Sequence, residues 1–181
     1  MGLDMYLYKK TYVQNWSYQS KDDTHTITVK KGGKVRKDIK PERVSEITEH
    51  VGQWRKFNAL HSWFINNFAD GVDDCRMIYV GEDGLKQALE VLQKVKAALD
   101  KAGKKVASIH VGWKDGEKMY EDMEVYDADE VEKLLPTASG FFFGGTEYDE
   151  YYYDEVCRTI ELFEELLKEE SDGDYYYEAS W

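Results

Sequence analysis

Trp54, Asn58 and His61 recur at i, i+4 and i+7, the spacing that places side chains on one face of a helix. An indole gives a flat surface on which a planar ring can stack, and an amide and an imidazole can read its polar edge. Arg55 and Lys56 lie beside them and would meet an anionic part of the same molecule. The competing reading is a buried helix whose Asn and His satisfy nearby backbone groups.

A second concentration of chemistry runs through 140–155, GFFFGGTEYDEYYYDE. The glycine-bounded Phe141-Phe142-Phe143 run reads as a buried strand. Gly144, Gly145 and Thr146 precede a predicted helix start, where unpaired N–H groups can hold a phosphate or carboxylate. Glu147, Asp149 and Glu150 compete for the same positive end. Successive helical residues point about 100° apart, so Tyr148, Tyr151, Tyr152 and Tyr153 cannot all enter a core. Some of these rings must face outward, where a tyrosine suits a base-like ligand or a protein interface. Trp54, Arg55, Lys56, Asn58, His61, Thr146, Tyr148, Tyr151 and Tyr152 are therefore the candidate ligand-binding residues.

Asp70, Asp73 and Asp74 crowd a loop that could offer oxygen ligands to a divalent cation. The spacing differs from a DxDxDG calcium loop, and turn formation accounts for the aspartates, so no metal site is expected. His25 and His110 are isolated from any serine, cysteine or carboxylate spaced as a nucleophile and its base. There is no GxGxxG and no GxxxxGK[ST] loop. Cys75 and Cys157 have neither a CxxC nor a Cys/His partner spacing, and they read as small buried apolar residues. No catalytic residue and no cofactor follow from these patterns, which lean away from an enzyme.

The elements that must position these residues are legible in part. Leu3, Met5 and Leu7 alternate with Asp4, Tyr6 and Tyr8 as a strand with one apolar face. Residues 24–39 read as an exposed β-hairpin about Gly32-Gly33. Pro41 opens a predicted helix carrying Val44, Ile47, Val51 and Trp54, with a kink or break at Gly52 and a continuation on Phe57, Leu60, Phe64 and Phe68. A strand over 77–80 leads to a helix on Leu85, Leu89, Leu92, Val95 and Leu99 that stops at Gly103. A hairpin follows, 106–113 with 121–126 through Asp115-Gly116, then a short helix ending before Pro136. The last helix begins near Asp149 and continues to about Glu169, and 175–181 has strand composition. The class is α+β: a mixed or antiparallel sheet against three or four helices, in one domain over 1–181. At 181 residues the chain suits one core of about 150 residues better than two.

The net charge of −12 is unevenly placed. Residues 1–114 hold 20 Lys and Arg against 14 Asp and Glu, whereas residues 115–181 hold 4 against 22. The acidic third would repel nucleic acid, so direct nucleic-acid binding is not expected; a basic protein surface or a cation is the natural partner. The more basic first part can meet a small anion. No uncharged run reaches the roughly 18 residues of a membrane helix, and the start MGLDMYLYKK lacks a signal peptide's apolar core, so a cytoplasmic protein without a membrane partner is expected.

The start MGLDMYL, the block WRKFNALHSWF, the loop DGVDDC, the stretch LLPTASGFFFGGTEYDEYYYDE and the terminal SW together resemble small acidic proteins encoded by phages and prophages. Those pieces span nearly the whole chain. The resemblance implies an accessory role in a host cytoplasm, by sequestering a host signal or blocking a host protein. Joined to the residues above, it leads to a non-catalytic protein that binds a small, nucleotide-like ligand to counter a host defence. An acidic interaction protein that occupies a basic host surface is the alternative, and a metal-assisted hydrolase using Asp70, Asp73 and Asp74 a second one. A homo-oligomer is compatible with each.

Overall fold

Alternation in the first strand decides the architecture, because its apolar face must be covered along its whole length. The computed structural model describes residues 2–181, with the backbone alone for Trp113. Strand β1 (Asp4–Tyr12) is the centre of an antiparallel sheet. It pairs on one side with β4 (Glu46–Arg55) and on the other with the C-terminal β8 (Asp174–Ser180), which also pairs with the short β5 (Ile78–Tyr79). Leu3, Met5 and Leu7 are wholly buried, as is Tyr177, with Tyr175 and Ala179 beside it on the same face of β8.

Helices α1 (Asn58–Phe68), α2 (Gly81–Leu99) and α4 (Glu150–Leu166) join that face in one contiguous core, with α2 packed along α4. Their apolar positions recur at helical spacing, Leu85, Leu92 and Leu99 on α2 and Val156, Ile160 and Phe163 on α4, so each helix turns one stripe inward. A single turn of helix, α3 (Val131–Leu134), contributes Val131. The fold is α+β, with its sheet antiparallel throughout.

Two hairpins project from this body. In the first, β2 (Lys30–Lys31) and β3 (Lys34–Val35) flank Gly32 and Gly33, whose φ values of 56° and 78° make the expected tight turn. Its paired strands are much shorter than 24–39. In the second, β6 (Lys104–Lys114) and β7 (Glu117–Tyr126) turn at Asp115-Gly116 and run longer than the sequence suggests. Among its described side chains only Val125 and Tyr126, at its base, are buried.

The region after Pro41 departs from expectation. Only Pro41–Arg43 forms a helical turn, of the 3-10 type, and residues 46–55 are strand β4. The helical spacing of Ile47, Val51 and Trp54 is coincidental. Ile47, Thr48 and Val51 are β-branched, and β1 offers an open edge that pairs with nine residues of the segment. Gly52 marks no helix kink. It adjoins a bulge at Val51, and a Cβ there would come within 2.9 Å of Leu162 Cδ2 and 3.0 Å of Trp54 Cη2, so glycine lets α4 close on the sheet.

Burial raises the pKa of the Tyr152 and Tyr177 hydroxyls. Both stay neutral in the folded chain above pH about 10, where an unfolded tyrosine ionises. The unfolded state then holds fewer protons, so stability falls as pH rises past that point. Absorbance titration is expected to show exposed tyrosines ionising first, and a second group ionising only together with the loss of helical circular dichroism.

Candidate functional site

The end of β4, the start of α1, the 137–149 loop and the outer face of α4 enclose an open cleft of about 740 Å³. That volume lies within the range of small-molecule sites. Trp54, Arg55, Lys56 and Asn58 line one side and Gly144, Gly145 and Glu147 the loop side. Tyr151, Tyr152, Glu155 and Arg158 come from α4, next to its cap Asp149. The two segments singled out by sequence therefore meet in space, although not as one helical face.

Lys56 and Asn58 hold the arrangement in different ways. Lys56 links β4 to α1 with φ at +61°, a left-handed conformation that costs a side-chain-bearing residue roughly 1–2 kcal/mol. Its aliphatic stem lies close to two glycines: a Cβ on Gly144 would lie 3.1 Å from Lys56 Cβ, and one on Gly2 3.2 Å from its Cε. The side chain is exposed and, among the described residues, has no hydrogen-bond or ion-pair partner. Asn58 is buried, and its amide donates to the Phe143 carbonyl at 3.1 Å and the Gly145 carbonyl at 2.7 Å. Its carbonyl oxygen accepts from the Ala138 N–H at 2.9 Å. Asn58 thus staples the loop, and its polar atoms are used by the protein itself.

The α4 wall is tied to β4 directly. Tyr151 is half exposed, and its hydroxyl donates a short hydrogen bond to the Arg55 carbonyl. Burial raises the pKa of that hydroxyl, which keeps it a donor. Arg158 donates to the Gln53 carbonyl at 3.0 Å and pairs with Glu155 at 2.5 Å, while Arg55 pairs with Asp4 at 2.8 Å. Asp149 caps α4 by accepting from the Tyr152 N–H at 3.0 Å.

Several sequence expectations need correction. Trp54 belongs to β4, is 1% exposed, packs edge-on against Phe163 and donates its indole N–H to Thr159 Oγ1 at 2.8 Å, so its ring belongs to the core. His61 is buried away from the cleft. The Asp73 carboxylate can only accept, so His61 Nε2 donates to it at 3.0 Å, and Nδ1 is hydrogen-bonded with the Tyr177 hydroxyl at 2.7 Å. Tyr152 is buried with its hydroxyl on the Leu135 carbonyl, and Tyr148 packs against it. Thr146 is exposed and contributes its carbonyl, which accepts from Thr137 Oγ1. Residues 141–143 form a turn, in which Phe141 is 95% exposed.

Asp70, Asp73 and Asp74 do not converge. Asp73 serves His61 and Trp181, Asp74 pairs with Arg76 at 3.5 Å, and among the described residues no three metal-ligating side chains gather. Cys75 and Cys157 are free and only partly buried. Sequence reading passed over Glu155 and Arg158, although Tyr151, Glu155 and Arg158 stand at i, i+4 and i+7, a single face of α4.

Comparison with protein-family models, curated proteins and solved structures finds no match to this chain. The geometry of the cleft is thus the basis for its reading.

Two substitutions separate the roles of the β4–α1 junction. Replacing Asn58 with Ala strands two carbonyls and one N–H, and is expected to cost about 2–3 kcal/mol in urea unfolding, with new proteolytic cleavage within 137–149. Lys56→Gly removes the left-handed penalty, and is expected to stabilise the fold by about 1 kcal/mol, seen as a higher urea midpoint.

Proposed function

We propose that the protein is a non-catalytic binder that sequesters a small, nucleotide-like ligand in the cleft between β4, α1 and α4. The observation that carries this reading is the strained Lys56, whose unpaired cation is held at the wall of a ligand-sized cleft. A residue kept in an unfavourable backbone conformation where glycine would be better is one whose side chain is needed. Tyr151 adds an exposed aromatic ring for a base, and Glu147 adds a carboxylate that can accept from ring N–H groups or hydroxyls.

Binding suits the cleft better than catalysis does. Two of its three carboxylates, Asp149 capping α4 and Glu155 paired with Arg158, are occupied, and no nucleophile with an adjacent base lines the wall. Among the described residues no helix is long and apolar enough to cross a membrane. A cytoplasmic role in which a phage-encoded protein withdraws a host signal agrees with the sequence resemblance.

Thermal unfolding against a panel of nucleosides, nucleotides and cyclic nucleotides tests the reading. A true ligand at 100 times its Kd adds about 2.7 kcal/mol, or roughly 5–10 °C in Tm for a chain of this size. Lys56→Ala is expected to abolish that shift. A panel without any shift, together with protein from its native host that carries no small molecule, would overturn the proposal.

A further inference from the structure

The balance of committed and uncommitted charge in the cleft narrows the ligand class, resting on the nucleotide reading above. We infer that the cleft takes a nucleotide bearing a single phosphodiester charge, with the phosphate at Lys56, and that it discriminates against nucleoside di- and triphosphates.

Three cations and three carboxylates line the cleft, so it offers no net positive field. Arg55 is held by Asp4 and Arg158 by Glu155 and the Gln53 carbonyl. Asp149 is spent on the α4 N-terminus. Among the described residues only Lys56 and Glu147 line the cleft without a hydrogen-bond or ion-pair partner for their charged groups. One free ammonium neutralises one phosphodiester. A triphosphate would bring three or four negative charges beside Glu147, Asp149 and Glu155, with no further cation released to meet them. Like charges brought together in a partly desolvated cleft repel strongly, and freeing Arg55 or Arg158 would leave Asp4 or Glu155 unpaired.

The geometry adds selectivity to this charge count. Gly144 and Gly2 lie against the Lys56 stem, which seats the start of its side chain at the cleft wall. Glu147, as an acceptor with no partner, matches a ribose hydroxyl or a base N–H, both of which a phosphodiester nucleotide retains. Tyr151, fixed through its hydroxyl to the Arg55 carbonyl, presents its ring without further loss of rotamer freedom.

Isothermal titration with three forms of each nucleoside decides the matter: the nucleoside, its 3′,5′-cyclic monophosphate and its 5′-triphosphate. For at least one base, the cyclic monophosphate is expected to bind ten times or more tighter than both other forms. Lys56→Gln is expected to reduce its affinity to that of the nucleoside, and Glu147→Gln to weaken nucleoside and cyclic nucleotide in equal proportion. Lys56 and Glu147 are surface side chains, and circular dichroism verifies that each variant keeps the fold. Equal or tighter binding of the triphosphate overturns the charge argument while leaving the nucleotide site standing. Binding of the nucleoside alone, unaffected by Lys56→Gln, overturns the phosphate assignment. Failure of all three forms for every base removes the nucleotide reading and this inference together.

Discussion

The Asn58 amide has its two N–H donors and its carbonyl committed to the backbone of one loop, at Phe143, Gly145 and Ala138. A buried amide with unmet partners is costly, and so are buried carbonyls and N–H groups left alone, so the staple holds from both sides. The position of the cleft follows from it. The loop brings Gly144 down on the Lys56 stem, sets Glu147 on the rim and delivers the chain to Asp149, which caps α4. Tyr151 and Arg158 then close the far wall through the carbonyls of Arg55 and Gln53. Neither wall is supported by side-chain packing alone: the loop is fastened by its main chain to the Asn58 amide of α1, and α4 by its side chains to the main chain of β4.

The chemistry of the cleft differs from what net charge suggests. Along the chain, a basic-leaning first part precedes a strongly acidic last third. In the fold the two are interleaved, because β8 lies beside β1 and α4 crosses β4. Lys9 pairs with Glu169 at 2.6 Å, Lys104 with Glu150 at 2.8 Å and Lys105 with Asp127 at 3.7 Å, all across the sequence boundary at residue 114. Lys104 holds the Glu150 carboxyl below its ordinary pKa, and the Lys104 ammonium is raised in turn. What distinguishes Lys56 is its left-handed backbone and its place on the cleft wall without a carboxylate of its own.

His61 shows how one residue type can be drawn to a different task. It forms a buried chain with Tyr177 and Asp73, continued to the Trp181 indole, and Phe143 sets its ring edge-on at 5.1 Å. This network ties the 70–75 loop and the C-terminal strand to α1, satisfying every polar atom within it. The same Phe143 carries the carbonyl that Asn58 holds, so the histidine network and the cleft loop share a support.

By itself the sequence determined the elements whose periodicity was long and uninterrupted: β1, α2, α4 with its start near Asp149, the Asp115-Gly116 hairpin, and strand composition at the C-terminus. Local spacing sets these, because each has one apolar face and clear end signals. It also singled out Arg55, Lys56, Asn58 and Tyr151 as chemically able residues. Tertiary structure alone decided that residues 46–55 are a strand, since the edge of β1 outweighed an accidental helical spacing. It likewise sent Trp54 into the core, gave His61 to Tyr177 and Asp73, and left Lys56 unpaired in a left-handed conformation. Trp54 and His61 find Thr159 and Tyr177 at 105 and 116 residues along the chain, separations that no local pattern can register.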